Sequence, residues 1–316
     1  MADALGVLSR MGIVTRSAWT DAFATVTSMV PFLSEGLTSK FTLMQNDTLQ
    51  GYGARLPGDQ GVEWIQGPTE HHFNYNSLDM FLAAVMGVDT AGTITIADEV
   101  TNKYYAFEFE KGAKRYRFCA CKGGKFTISG EKDKYIKLAV DWYARIFDMV
   151  DTAFPTLAQP TNVLVPFDDL VFRLGDQADA LTGSDVFGIE SFEIVFDRAY
   201  KTDDYQTHAS TPRQPLEPIA GDWRVCELSI KLPRYAANTI AGWKDANTPL
   251  QADLMFTGPA TYTKKFELPE LRVSDGFNMS IGGPAPLTID GKFTGYRSSA
   301  GNPMYASGNE MRVIYT

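Results

Sequence analysis

The sequence predicts a mainly β protein, built from two tandem β-sandwich or barrel domains that each carry a short flanking α-helix and are joined by a linker. Two observations support this fold class. Short segments in which apolar and polar residues alternate recur along the 316 residues, and this alternation has the period of a β-strand. In addition, a strand–loop–strand–helix plan at Leu37–Gly87 returns at Ile189–Trp243.

The repeat is recognised by its nearly constant spacing. Phe41 and Phe192 are 151 positions apart. Three further pairs keep a similar distance: Leu78 and Leu232 (154), Gly87 and Gly242 (155), and Tyr143 and Tyr296 (153). Constant spacing combined with low identity indicates a duplicated domain whose two copies have diverged.

This repeat divides the chain into four predicted parts. They are an N-terminal arm (1–36), a first β domain (37–145), a linker with an extended piece at Leu170–Leu174 (146–187), and a second β domain (188–316). The second domain contains a long polar loop, 197–221, that is interrupted by prolines. Loops of this length in compact domains are usually functional or disordered.

Local signals define the smaller elements of the first domain. Ser77 occupies the position of an N-cap, apolar residues follow at helical spacing, and Gly87 ends the predicted helix. The Gly- and Pro-rich stretch Gly51–Gly61 is predicted to be a loop. Lys111-Gly112 and Lys122–Gly124 are predicted to be turns between strands.

Charge and hydropathy exclude several classes of protein. The formal net charge is −9, and a protein that wraps nucleic acid needs a basic face instead. The N-terminus lacks the features of a signal peptide, and the longest apolar run, Met80–Val88, is too short to span a membrane. We therefore expect a chain that is made and folded in the cytoplasm and has no membrane partner.

The residue types that carry catalysis or bind metals do not form a pattern. Cys119, Cys121 and Cys226 are too few for a disulfide framework and are predicted to be buried. The adjacent His71 and His72 are predicted to be a surface or interface pair, and motifs for a nucleophilic serine or a phosphate-binding loop are missing. We expect no enzyme, no cofactor and no metal site; a hydrolase that uses paired carboxylates or a carbohydrate-binding β-sandwich are the alternatives.

Six segments together carry a resemblance to a known family. In the first half they are Val30–Leu37 with the strand after it, Tyr52–Gly58, Gly61–Gly67 and Leu78–Gly87. In the second half they are Ile189–Ile194 and Lys265–Val273. These segments resemble the major tail tube proteins of long-tailed bacteriophages, and the likeness extends over about residues 30–296.

The resemblance implies a structural virion protein with two domains of the tail-tube type, a subunit of stacked rings around a channel for DNA. Single-domain relatives form hexameric rings, so a duplicated chain is expected to close a pseudo-hexamer with three copies. Expected partners are other copies and the tape measure, terminator and distal tail proteins, while DNA passes an acidic lumen without specific binding. The expected location is the phage tail, assembled in the host cytoplasm. Candidate inter-ring contacts are placed in the two long loops, at Tyr52, Arg55, Tyr200, Tyr205 and Arg213.

Overall fold

The computed structural model describes residues 9–46, 56–112, 114–202, 214–233, 239–276, 289–298, 304 and 309–316. Over these residues the chain is mainly antiparallel β-structure, as the alternation predicts. The elements of the first half are β1 (Met11–Arg16), β2 (Ser28–Met29), β3 (Ser34–Glu35), β4 (Thr38–Asn46), β5 (Leu56–His72), α1 (Asp79–Met86), β6 (Gly87–Thr90), β7 (Thr93–Ile96), β8 (Tyr104–Lys111), β9 (Lys114–Glu131), β10 (Lys137–Ala144) and β11 (Ile146–Val150).

The second half begins after a short 3-10 turn at Phe167–Asp169, and another such turn lies at Gly183–Asp185. Its elements are β12 (Leu170–Asp176), β13 (Ser191–Asp197), β14 (Tyr200–Lys201), β15 (Ile219–Ala220), β16 (Val225–Leu232), α2 (Thr239–Asp245), β17 (Leu250–Thr257), β18 (Thr263–Gly276), β19 (Ile289–Gly295) and β20 (Arg312–Tyr315).

The strands pair in the same order in both halves. Neighbours in the first half follow the order β1-β8-β9-β10-β5-β4, and each pair is antiparallel. Neighbours in the second half follow the order β12-β17-β18-β19-β16-β13, again antiparallel throughout. A further strand adds to the long central one in each case, β11 to β9 and β20 to β18. Each half thus places a hairpin, a helix, a second hairpin and a closing strand in one arrangement.

β1 and β12 begin the two sets, although the sequence placed them in the N-terminal arm and the linker. Met11 and Ile13 of β1 are 0% and 3% exposed, and Phe172 and Leu174 of β12 are each 1% exposed. Their apolar side chains alternate toward the core, so both segments are held in the sheet by burial as well as by strand pairing.

The helix in the first half lies within the predicted stretch but starts differently. Leu78, not Ser77, precedes the first helical residue, and it has a left-handed backbone with φ 67°. The Ser77 hydroxyl donates instead to Oδ1 of Asn74 at 2.7 Å. Gly87 follows the last helical residue and has φ 112°, a backbone conformation that glycine adopts much more readily than other residues do. In the second half, α2 begins at Thr239, and Leu232, which the spacing pairs with Leu78 near the start of the first helix, is the last residue of β16.

One predicted loop is too long and one predicted turn is wrong. β5 already begins at Leu56, inside the predicted loop Gly51–Gly61, whose residues 51–55 lie outside the described part. β9 runs without a turn through Lys122–Gly124. The glycines there serve close packing, because a Cβ at Gly123 would lie 2.8 Å from Cγ2 of Val85 on α1. A Cβ at Gly124 would lie 2.4 Å from the Tyr143 ring. A strand that passes directly beneath a helix and an aromatic ring needs glycine for space rather than for a turn.

The two halves share one hydrophobic core. A single cluster of buried side chains includes residues of both, and the rings of Phe73 and Phe266 lie 5.9 Å apart across it. β20 of the second half pairs with β7 of the first. Among the described helices, none is long and apolar enough to cross a membrane.

Candidate assembly surfaces

The residues considered for catalysis or metal binding lie mostly in the core. Cys119, Cys121 and Cys226 are free and buried, as predicted, and burial raises the pKa of each thiol. Over the described parts of the chain, no group of three or more His, Cys, Asp or Glu residues is placed to hold a metal ion. His208 lies outside the described residues.

His71 is a core residue rather than a surface one. Its ring is 0% exposed and donates from Nδ1 to the Pro31 carbonyl oxygen, 2.8 Å away. Its Nε2 lies 3.0 Å from Oγ1 of Thr69, which also accepts a hydrogen bond from Nε1 of Trp142 at 2.9 Å. Burial lowers the pKa of His71 to about 4, so the neutral ring completes a satisfied polar network.

An open groove of about 580 Å³ lies over the polar face of the joined sheet, where the ends of β9, β13, β16 and β19 meet. Charged side chains of both signs line it, among them Glu131, Glu193, Lys231 and Lys292. The residues that alternate with them along the same strands, such as Ile128 on β9 and Ile194 on β13, are buried in the core. This face is the wet side of a sheet whose other side is mainly apolar.

β9 is shared between the two halves. Its first part pairs with β8, and its second part, Lys125–Glu131, pairs antiparallel with β13 from the second half. In this register Asp197 lies opposite Lys125, and Phe196 lies opposite Phe126 with the rings stacked at 5.7 Å. We call this contact the internal junction. It makes one continuous sheet from two strand sets.

Arg198 closes the internal junction. The side chain is 1% exposed, and Nε donates to the Val85 carbonyl at 2.6 Å, while Nη2 donates to that of Met86. Nη1 donates to the carbonyls of Ala97 and Asp98 at 2.7 and 3.1 Å. Burial lowers the pKa of the guanidinium, but a cation is well placed at the last carbonyls of α1, where the helix dipole is negative. Nothing in the sequence marked this arginine, because it follows an ordinary strand.

The two ends of the long loop also rest on the first half. The Glu217 carboxylate accepts from the Tyr104 hydroxyl at 2.6 Å and from Lys122 Nζ at 2.5 Å. Lys122 Nζ donates further to the Pro218 carbonyl at 2.9 Å, and Trp19 Nε1 to that of Pro215 at 3.3 Å. Burial lowers the pKa of Lys122, an effect that its bond to Glu217 opposes.

Of the five loop residues singled out from the sequence, only Tyr200 lies in the described part. Its ring is edge-on to Tyr143 at 6.3 Å, and Lys122 Nζ lies 4.9 Å from its centre. Burial raises the pKa of its hydroxyl to about 12. Tyr200 therefore belongs to the base of the loop, where the strand pair β14–β15 closes it. Tyr52, Arg55, Tyr205 and Arg213 lie outside the described residues.

Among the strand edges that remain open in the described part of the chain are those of β4 and of the end of β18. β4 pairs with β5 alone, so its outer backbone groups face away from the sheet, and Phe41 and Leu43 on it are 55% and 52% exposed. The end of β18, Arg272–Gly276, pairs with β19 on one side only. An open strand edge is a template for adding a strand from another chain.

The sequence as a whole matches a known family. The family model described as phage tail tube protein matches residues 6–304, which include both sets of paired strands up to β19. No curated protein matches the chain. The family match covers nearly the whole chain. The same residues fold mainly as antiparallel β-structure where the structure describes them. The chain belongs to the phage tail tube protein family.

Proposed function

We propose that three copies of this chain close a ring with six similar units, and that such rings stack into the tail tube. The strand order that occurs once in each half supports a duplicated domain, so one chain would supply two of the six units. Family membership makes the chain a structural component of the tail. No catalytic step is part of this role.

The internal junction is the observation that carries the proposal. In it, β13 of the second half adds to the long central strand β9 of the first half. This contact is head-to-tail, because two different edges meet. Head-to-tail contacts generate closed rings when their rotation closes, and a ring of six units needs three such chains.

The polar face of the joined sheet is the surface that we assign to the channel. On Lys125–Glu131 of β9 and on β10, β13, β16 and β19, this face carries six acidic residues and four lysines, an excess of two negative charges per chain. They are Glu131, Asp141, Glu193, Asp197, Glu227 and Asp290, with Lys125, Lys137, Lys231 and Lys292. A mildly negative lining would repel phosphate and let DNA pass without holding it.

Ring stacking is assigned to the two long loops, at Tyr52, Arg55, Tyr205 and Arg213, with Tyr200 supporting the loop at its base. Apolar side chains beside the second loop support this assignment. Trp223 is 89% exposed and Ile219 is 56% exposed. The two residues are four positions apart in sequence, and burying them between rings would remove apolar surface from water. The tape measure, terminator and distal tail proteins are the further partners of such a tube, which would assemble in the host cytoplasm.

The direct test is assembly of the purified chain. Negative-stain microscopy across a concentration series should show rings or tubes, and native mass spectrometry of the smallest ring should give three chains. A chain that stays monomeric at every concentration and binds sugar would contradict the proposal and favour the carbohydrate-binding alternative. Rings of six chains would contradict the stoichiometry alone.

A further inference from the structure

We propose that neighbouring chains join by placing β4 of one copy against the end of β18 of the next, with Lys40 opposite Asp275. This inference rests on the proposed ring and identifies its closing contact. The geometry comes from the internal junction, in which β9 of one half receives β13 of the other. The chain then uses one mode of contact twice, once within itself and once between copies.

The β-bulges align the two receiving strands. In the first half, β10 meets β9 so that Trp142 lies opposite Gly123 and Asp141 lies opposite Lys125, with Gly124 skipped. In the second half, β19 meets β18 so that Phe293 lies opposite Val273 and Lys292 lies opposite Asp275, with Ser274 skipped. Asp275 is therefore the counterpart of Lys125.

The incoming strands are aligned through the next neighbour in each sheet. Trp142 lies opposite Gly67 of β5, and Phe293 lies opposite Leu228 of β16, so these two positions correspond. Three residues earlier are Trp64, which faces Lys40, and Val225, which faces Asp197. Lys40 is therefore the counterpart of Asp197. By the same offset, β3 and β4 together match β13.

At the two corresponding positions, the acidic and the basic residue are exchanged between the internal junction and the proposed contact. The internal junction sets Asp197 opposite Lys125, and the proposed contact sets Lys40 opposite Asp275. Lys40 and Asp275 are both exposed in the single chain. Opposite charges directly across two antiparallel strands stabilise the pairing, and like charges destabilise it. The exchange also discourages β4 from docking on β9, where Lys40 would face Lys125.

The neighbouring positions fit a contact that forms between copies rather than within one. The counterpart of Arg198, which is buried in the internal junction, is Phe41 on β4. Phe41 is 55% exposed in the single chain, and a strand added beside β4 would reduce that exposure. The unpaired backbone groups of β4 would gain their hydrogen bonds at the same time.

Disulfide trapping tests the contact. In Lys40→Cys/Asp275→Cys, mild oxidation of assembled protein should give covalent species of two and three chains on a denaturing gel, with three as the largest discrete closed product. The native thiols are buried and should not compete. The matched control is Lys125→Cys/Asp197→Cys, which should close within one chain and change mobility without adding mass. Each single cysteine variant should give no ladder.

Charge reversal gives an independent measurement. Lys40→Asp or Asp275→Lys alone should raise the concentration needed for ring formation by about tenfold, and the double reversal should restore it. Rings that form without cross-chain disulfides, while the control pair closes within one chain, would overturn this contact and leave the proposed function standing. Absence of any ring or tube from the unmodified chain would overturn both.

Discussion

The two halves of this chain pair their strands in one order but fill matching positions with different chemistry. In the first half, Thr69, His71 and Trp142 form a buried hydrogen-bonded network. The positions that match Thr69 and His71 in the second half are Ile230 and Leu232, both apolar and buried. One backbone plan thus accepts a polar or an apolar core, provided that every buried polar atom in the network is paired.

The edges of the two halves differ as well. In the second half, β13 is covered on both sides, by β16 and β9, and Arg198 follows it into the core. The corresponding strand of the first half, β4, is covered only by β5 among the described residues. A contact already made inside the chain should contribute to the stability of the single chain, whereas an open edge should contribute only after assembly.

The largest loss is expected where a charge of one half is buried against the other. Lys264 on β18 has no exposed side-chain area and forms an ion pair with Asp79 on α1. Lys264→Met should lower the free energy of unfolding by about 3–5 kcal/mol, because Asp79 is left buried without its partner. Urea denaturation measures this, and Lys264→Met/Asp79→Leu should recover most of it. An unchanged midpoint in the single variant would show that this contact does not couple the halves.

Arg198→Met should have the next largest effect, because it removes the donors to four carbonyl oxygens at the internal junction. We expect a loss of about 2–4 kcal/mol in the free energy of unfolding. The control is Arg224→Met, whose guanidinium also contacts the Ala97 carbonyl, at 3.2 Å, but is partly exposed, so its loss should be about 1 kcal/mol or less. Equal losses in the two variants would contradict a special role for the junction arginine.

His71 should make the free energy of unfolding depend on pH. Its folded pKa of about 4 lies below the ordinary value of 6.5, so the unfolded chain binds this proton more tightly. The contribution is complete above pH 6.5 and is lost as pH falls through 4, by about 3 kcal/mol in total. His71→Leu, which copies the second half, should remove that part of the slope between pH 7 and 4. His72→Gln, on the exposed side, should change the slope less, and identical slopes in both variants would contradict the assignment.

The smallest effect on the single chain is expected at the open edge. Lys40→Met should change the free energy of unfolding by no more than about 0.5 kcal/mol, because the side chain is exposed. The same variant should weaken assembly in the concentration series. A large loss of stability below the concentration of assembly would show that β4 is already engaged within the single chain.

Several elements were predictable because their signal is local. Alternating residues such as Tyr105, Phe107 and Phe109 identify a strand, and they do lie in β8. Gly87 identifies the end of α1 because its backbone needs φ 112°. The glycines at Lys122–Gly124 led to a wrong prediction of a turn, because a turn and the close approach of a helix both require glycine. Only the position of Val85 above Gly123 distinguishes the two.

Strand periodicity and turn residues act over a few positions, so the amino-acid sequence predicts the class of fold and the family. It predicts the match between the halves less well, because the strand register aligns Leu232 with His71 and not with Leu78. Tertiary structure alone decided which edges meet. The pairing of β13 with β9 joins residues 60 to 72 positions apart. The bulges at Gly124 in β9 and at Ser274 in β18 decide which residues of these two strands correspond. A change of one position in a strand register would exchange every inward and outward side chain, so the proposed partner of Lys40 follows from the register and not from the residue type.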